Sequence, residues 1–353
     1  MSSPSRAVGG PPPPRSPSRP GARVLLVVLA LALLAAVVAG AALWRLYERP
    51  LPVRDERIEV LIPAGASARA IAEALRAQGV DVHVELFVVA ARLGDVTRGL
   101  RAGRYEVTRG MRLADVIDRL RRGETLRERL TIVEGWTYRE MRAALAAQPL
   151  LRRDSARLSD AQLLAAVGAA EPHPEGLFAP DTYFFDAGSS DLDILRLAYR
   201  AQQARLARAW DERTAELPLK SPYEALILAS IIEKETGQAQ ERARIGGVFV
   251  NRLRRGMLLQ TDPTVIYGLG ERFDGNLRKR DLATDTPYNT YIRRGLPPTP
   301  IALPGQASIE AALKPEPTGA LYFVARGDGT SQFSESLAEH NRAVVRYQMG
   351  EKR

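Results

Sequence analysis

The chain is 353 residues long, enough for two domains, and contains no cysteine. That excludes a disulfide framework, a thiolate nucleophile and a cysteine zinc site, and the three histidines (His83, His173, His340) are too widely spaced for a zinc motif. No GxSxG, P-loop or Rossmann glycine pattern occurs, which removes the commonest serine hydrolase, NTPase and dinucleotide readings. The formal charge is +9, and its distribution along the chain says more than its size.

Residues 1–23 hold seven prolines and four arginines (Arg6, Arg15, Arg19, Arg23) without one acid, a composition that predicts a disordered tail. Val24 to Trp44 follows as 21 uncharged residues rich in Leu, Val and Ala, long enough to cross a bilayer as a helix. The basic residues ahead of it predict a cytoplasmic N-terminus and an exported body. Ala39-Gly40-Ala41 can be read as a signal-peptidase site, but the length of the apolar run favours a retained anchor. The tail arginines supply four of the nine net charges, and the +5 left beyond Trp44 suits an anionic wall or membrane surface. A body facing away from the cytoplasm argues against nucleic acid as a partner.

Three segments of the exported part share one spacing: Gly65-Ile71-Leu75, Gly110-Val116-Leu120 and Gly135-Met141-Leu145. Each glycine follows a β-rich run (IEVLI, RYEVT, RLTIV), so the unit is a strand, a glycine turn and a short amphipathic helix. Strand–glycine–helix is a common local solution, yet the identical spacing favours a structural repeat. The fold class predicted is α+β, with these units forming one or two small modules ahead of a larger mixed α/β domain. Gly123 to Arg129 reads as a hinge between a membrane-proximal module over 57–123 and a second domain over 127–349.

Residues 146–215 read as mostly helical, interrupted by a proline- and aromatic-rich loop, EPHPEGLFAPDTYFF, that ends in an extended run. Ser221 to Gly237, SPYEALILASIIEKETG, then reads as a capped helix: Ser221 at the N-cap, Pro222 at N1, Glu224 completing a capping box, Gly237 as the stop. At 100° per residue, Ile227, Leu228, Ile231 and Ile232 share one arc with Glu235 near its centre, while Glu233 points almost the opposite way. Burial and a helix C-terminus both raise a carboxyl pKa, and an acid still protonated near neutrality can protonate a leaving group, as glycosidic cleavage requires. A Glu in a last turn can equally be a solvated fraying residue or half of an ion pair.

A second helix is predicted from Ala239 to Arg255. After it, LLQTDPTVIYG carries Gln260-Thr261-Asp262 through a proline turn, and TPYNTY presents two tyrosines and an asparagine in a loop. Leu296 to Gly305 is proline-studded, and LYFVA, Gly-Asp-Gly and Gln332-Phe333 read as a terminal hairpin. Aromatic faces with Asn, Gln, Thr and Asp are what a sugar site needs, although each loop alone fits plain turn chemistry.

The segments ASIIEKETG, VFVNRLRRGMLLQTDPTVIYGLG, TPYNTYIRRGLPPTPIALPG, LYFVARGDG and EHNRAV, with EGLFAPDTYFF and RAGRYEV before them, together resemble the YceG-like endolytic murein transglycosylases (MltG) over roughly residues 45–350. The resemblance implies an inner-membrane anchor, a LysM-like module and a wall-facing catalytic domain. It makes the second glutamate of EKET, Glu235, the essential acid, the residue that helix geometry also selects, and leaves Glu233 a structural part. It implies endolytic cleavage of the β-1,4 bond between N-acetylmuramic acid and N-acetylglucosamine in nascent glycan strands, ending elongation with a 1,6-anhydro sugar. No metal or cofactor is called for, and Gln260, Thr261, Asp262, Tyr288 and Asn289 are the candidates for positioning substrate. The expected partners are glycan strands, the membrane, and penicillin-binding proteins and other wall synthases. Two other readings stay open: a hydrolytic muramidase, in which Asp262 close to Glu235 would supply a second carboxylate, and a non-catalytic wall-binding scaffold.

Overall fold

The computed structural model describes residues 20–63, 65–96 and 100–349. The tail expected to be disordered lies outside them as far as residue 19; from Pro20 the backbone is already helical, and proline is tolerated in a first turn. Helix α1 (Pro20–Glu48) is long and apolar enough to cross a membrane, and its leucines and valines from Val24 onward are exposed. The described residues form two compact units, one up to Arg101 with Tyr105–Thr125, the other Ala102–Arg104 with the chain from Leu126.

In the first unit β1 (Arg57–Ile62) pairs with β2 (Gly103–Thr108), and α2 (Ala68–Ala77), α3 (Val84–Leu93) and α4 (Leu113–Arg122) complete it. Strand β1 alternates, putting Ile58, Val60 and Ile62 inward as a half-buried strand must. They meet Ile71 and Leu75 of α2, Phe87 of α3, Tyr105 and Val107 of β2, and Val116 and Leu120 of α4 in one core. Tyr47, near the end of α1, packs on that core, and Glu48 pairs with Arg112.

The second unit opens with β3 (Glu128–Ile132), antiparallel to β4 (Asp181–Phe185) with Leu130 opposite Tyr183. Between these strands run α5 (Tyr138–Ala147) and α6 (Asp160–Val167), and after them α7 (Asp191–Asp211). Helices α8 (Pro222–Glu235), α9 (Ala239–Arg254), α10 (Asp262–Leu269), the short α11 (Lys279–Leu282) and α12 (Gln306–Leu313) follow. The hairpin of β5 (Tyr322–Ala325) and β6 (Ser331–Ser334) and helix α13 (Leu337–Val344) close the chain. The core of the second unit gathers Leu130 and Ile132, Met141 and Leu145, and six residues of α8 between Ala225 and Ile232.

All three strand–glycine–helix units form. Gly65, Gly110 and Gly135 have φ of 74°, 92° and 78°, and Ile71/Leu75, Val116/Leu120 and Met141/Leu145 are the buried positions of the helices that follow. The first two share the β1–β2 sheet, whereas the third pairs its strand with β4, about fifty residues further along. The proline turn expected at Asp262-Pro263 is instead the start of α10, where a proline costs no hydrogen bond.

Helix α8 lies against α7, α9, α10 and α12. The approach of α9 to α12 depends on Gly246, where a Cβ would stand 2.4 Å from the Ala311 carbonyl oxygen, and at the adjacent Gly247 a Cβ would stand 2.5 Å from the carbonyl oxygen of Glu316, beyond the end of α12. Gly246→Ala should therefore destabilise the second unit by about 2 kcal/mol through overpacking, despite alanine's better helix propensity. Thermal unfolding of the variant against the parent checks this; an unchanged or raised midpoint would contradict it.

Candidate active site

Ser221 caps α8, its Oγ accepting the Glu224 N–H at 3.3 Å, and Pro222 sits in the first turn. Glu224 does not close the expected reciprocal box; its carboxylate accepts instead from the Lys220 N–H (2.6 Å), one residue further out. Gly237 is not the stop either. The helix ends because Thr236 adopts an extended conformation (φ −146°, ψ 136°) immediately after Glu235.

Ala225 through Ile232 are all buried, so α8 has no solvent face and its two acids are sorted by their partners rather than by an inner and an outer side. The Glu233 side chain is only 6% exposed. Its Oε2 accepts the Gly305 N–H at 3.0 Å, and its Oε1 lies 3.5 Å from the Arg242 guanidinium. Glu233 is thereby neutralised and ties α8 to α9 and to the proline-rich loop. Ser230 helps from the preceding turn, its Oγ accepting the Ile301 N–H (3.0 Å).

Glu235 has a different environment. It is half-buried, takes part in no ion pair among the described residues, and accepts a hydrogen bond from Thr261 Oγ1. Burial raises its carboxyl to about 7; the Thr261 bond opposes the rise, the charge of Asp262 adds to it, and Arg252 draws it down.

Thr261 is fixed on every side. It is 2% exposed, its N–H donates to Thr290 Oγ1 (3.1 Å), its carbonyl accepts from Thr264 Oγ1 (2.8 Å), and the Thr264 and Thr290 hydroxyls lie 2.8 Å apart. Gln260 precedes it in the left-handed region (φ 49°), strained for a non-glycine, with its N–H on the Thr290 carbonyl (3.1 Å). Arg252 of α9 holds that bend. Its Nη1 donates to the carbonyls of Leu258 (3.0 Å) and Leu259 (3.1 Å) and to Gln260 Oε1 (3.2 Å). Its Nε reaches the Leu321 carbonyl (2.6 Å), and the guanidinium lies 5.0 Å from the centre of the Tyr322 ring.

Of the five candidate positioning residues, Gln260, Thr261 and Asp262 lie on one segment beside Glu235. Asp262 is exposed at the start of α10, with Oδ1 accepting from Tyr291 Oη at 2.5 Å. Asn289 is placed otherwise, because it is fully buried and its amide is used up inside the loop. Its Nδ2 donates to the Leu282 (2.9 Å) and Thr284 (2.8 Å) carbonyls, and its Oδ1 accepts the Tyr291 N–H (2.9 Å). It shapes the loop that presents Tyr291 and has no group left for a sugar. Tyr288 packs edge-on against Tyr267 (4.8 Å) and shares a hydrogen bond with Thr299 (2.9 Å).

Sequence reasoning passed over a second buried carboxyl. Glu175, in the EGLFAP segment, is 2% exposed and raised by burial to about 7. Its Oε1 accepts the Tyr138 N–H (2.8 Å) at the start of α5, and its Oε2 accepts from Tyr267 Oη (3.0 Å) on α10. An acid set inside the otherwise apolar, proline-flanked run Pro174 to Pro180 was the available signal. Arg252, Thr264, Thr290 and Tyr291 were likewise missed, since a hydrogen-bond network between segments leaves no periodicity in a sequence.

A half-buried acid poised to titrate near neutrality, flanked by polar and aromatic loops, suits general acid–base chemistry at a single carboxyl. The YceG-like family model matches residues 60–346, and the chain belongs to that family. It is 34% identical over 307 residues to an endolytic murein transglycosylase of Bacillus subtilis, covering 82% of this chain and 84% of that one. A Streptococcus pneumoniae protein of the same name is 27% identical over 323 residues, and the match covers 82% of this chain and 58% of that longer protein. A crystal structure of a yceG-like protein from Listeria monocytogenes aligns with a TM-score of 0.54 at 35% identity, over 81% of this chain and 98% of that one.

Two titrations follow from this geometry. Because the Thr261 hydrogen bond stabilises the Glu235 carboxylate, Thr261→Val should move the Glu235 titration above about 7, read by carbon NMR of the side-chain carboxyl. A titration that stays put or falls would deny Thr261 that part. Glu175 holds its proton more tightly folded (about 7) than unfolded (4.5), so the folded state binds more protons between those values and stability falls as pH rises through them. The Glu175 share is about 3 kcal/mol, present at low pH and lost by pH 8. Urea unfolding of Glu175→Gln should show a smaller loss between pH 5 and pH 8 than the parent; an equal loss would place the effect elsewhere.

Proposed function

We propose that the chain is a membrane-anchored peptidoglycan lytic transglycosylase that cuts the bond between N-acetylmuramic acid and N-acetylglucosamine with Glu235 as its single acid–base group. The observation that carries this reading is the Glu235 environment: raised to about 7, without a cation partner in contact, and oriented by one hydroxyl donor. In that state the carboxyl can hold a proton for the glycosidic oxygen at neutral pH. Protonation releases the leaving sugar. The carboxylate so formed then accepts the proton of the muramoyl C6 hydroxyl as that oxygen closes on C1, giving the 1,6-anhydro product and restoring the acid. Water takes no part, which separates the scheme from two-carboxylate glycosidases.

Asp262 keeps a second reading in play. Its charge is close enough to raise Glu235, and the Tyr291 hydroxyl fixes one of its oxygens. A carboxylate there that activated water would make the protein a hydrolytic muramidase. Helix α1 supports a single-pass anchor, with the basic tail in the cytoplasm and both units outside the inner membrane. The first unit, which has a core of its own, is the part that family membership suggests as a LysM-like module. Endolytic action, an end to strand elongation, and work beside penicillin-binding proteins and other wall synthases are what membership of the family suggests for such an anchored enzyme.

Mass spectrometry of fragments released from purified peptidoglycan tests the reading. The parent should yield anhydro-ended fragments, and Glu235→Gln should lose at least about a hundredfold in rate, the usual scale for a general acid. Reducing-end products would instead establish the hydrolase and give Asp262 the second carboxylate's role. Undiminished cleavage by Glu235→Gln would remove Glu235 from the chemistry.

A further inference from the structure

A cavity of about 740 Å³ in the second unit is lined by Tyr138, Glu175, Tyr267 and Phe273, with His173 beside them. Lys234, the residue before Glu235, and Pro263, the residue after Asp262, also line it. Its volume lies within the range of small-ligand pockets.

The aromatic lining is held rigidly. Both tyrosines are tied: Glu175 takes the Tyr138 backbone N–H on one oxygen and the Tyr267 hydroxyl on the other, and the Tyr138 hydroxyl donates to Asp160 Oδ1 at 3.2 Å. A further ring backs each of them: Phe178 stacks on Tyr138 (6.0 Å, 20°), and Tyr288 packs edge-on against Tyr267 (4.8 Å, 63°). Rings locked in this way lose little freedom when a ligand packs on them. Phe273, just beyond α10, is half-buried and offers a third aromatic surface. Of the charged lining residues Arg139 and Glu271 pair with each other at 2.8 Å, which leaves Glu140 and Asp160 against Lys234 and offers no cationic patch to an anionic ligand. Rigid aromatic faces without a cationic patch suit the neutral N-acetylglucosamine ring, which packs its apolar face on rings, better than an acidic stem peptide.

We propose that this cavity is a saccharide subsite that holds the glycan strand beside Glu235 by stacking a sugar on Tyr267 and Phe273. The proposal rests on the glycan-cleaving reading above, and it makes Glu175 a positioning residue that acts through the two tyrosines.

The test is calorimetric binding of a peptide-free tetrasaccharide of alternating N-acetylglucosamine and N-acetylmuramic acid to the full chain in detergent, carrying Glu235→Gln to prevent turnover. Phe273→Ala and Tyr267→Ala should each weaken binding by about tenfold, while Tyr267→Phe, which keeps the ring, should lose less. In the active background Phe273→Ala should raise KM more than it lowers kcat. Circular dichroism checks the fold, and the half-buried Phe273 is the variant least able to disturb it. Binding that stays within twofold of the parent in both alanine variants would overturn the subsite while leaving the glycan-cleaving reading intact. So would a requirement for stem peptides on the ligand. No binding of any glycan to the folded parent would remove both.

Discussion

The hydrogen bond from Thr261 to Glu235 joins the end of one helix to the start of another across 26 residues, and the geometry of the site follows from it. A residue buried to 2% exposure must satisfy its polar atoms within the protein: the Thr261 N–H donates to Thr290, its carbonyl accepts from Thr264, and its hydroxyl donates to Glu235. The two backbone bonds hold the residue in place, and the carboxylate is the partner of its hydroxyl. Arg252 supports the arrangement from behind by gathering carbonyls of the connecting segment, so that Gln260 is held in a backbone conformation it would not choose alone.

Three glutamates of the second unit illustrate that enclosure alone does not decide an acid's behaviour. Glu233 is nearly inaccessible, but a guanidinium and a backbone N–H compensate it. Glu175 is as enclosed, and its two neutral donors do not offset lost solvation. Glu235 has one neutral donor and a like charge nearby. Glu233 is a structural tie, whereas Glu175 and Glu235, with only neutral donors in contact, are raised by burial.

Much of this was legible in the sequence, and the misses share one cause. The three glycine-punctuated units, the terminal hairpin and α8 are local, so spacing and capping residues revealed them. Glu235 was singled out by the wheel, although its argument of an apolar face was incomplete, because neighbouring helices cover α8 all round. What stayed hidden is non-local. Asn289 looked like a sugar ligand because its type suits one, but its amide closes its own loop. Glu175 became visible only when α5 and α10 were brought to either side of it. Gly237 and Glu224 carried the right residue types for caps, while the backbone found other ways to end and begin the helix.

The paired glycines of α9 have a mechanical meaning. With no Cβ atoms between them, the α9 backbone rests directly on the carbonyls of Ala311 and Glu316, and a sliding motion there would have to break close-packed contact. The helix that carries Glu235 is braced by that immobile pair, like a post set in stone. Whatever yielding is needed to take up a long, stiff polymer is therefore not supplied by the helix that carries the acid. The acid stays in place, and the strand is brought to it.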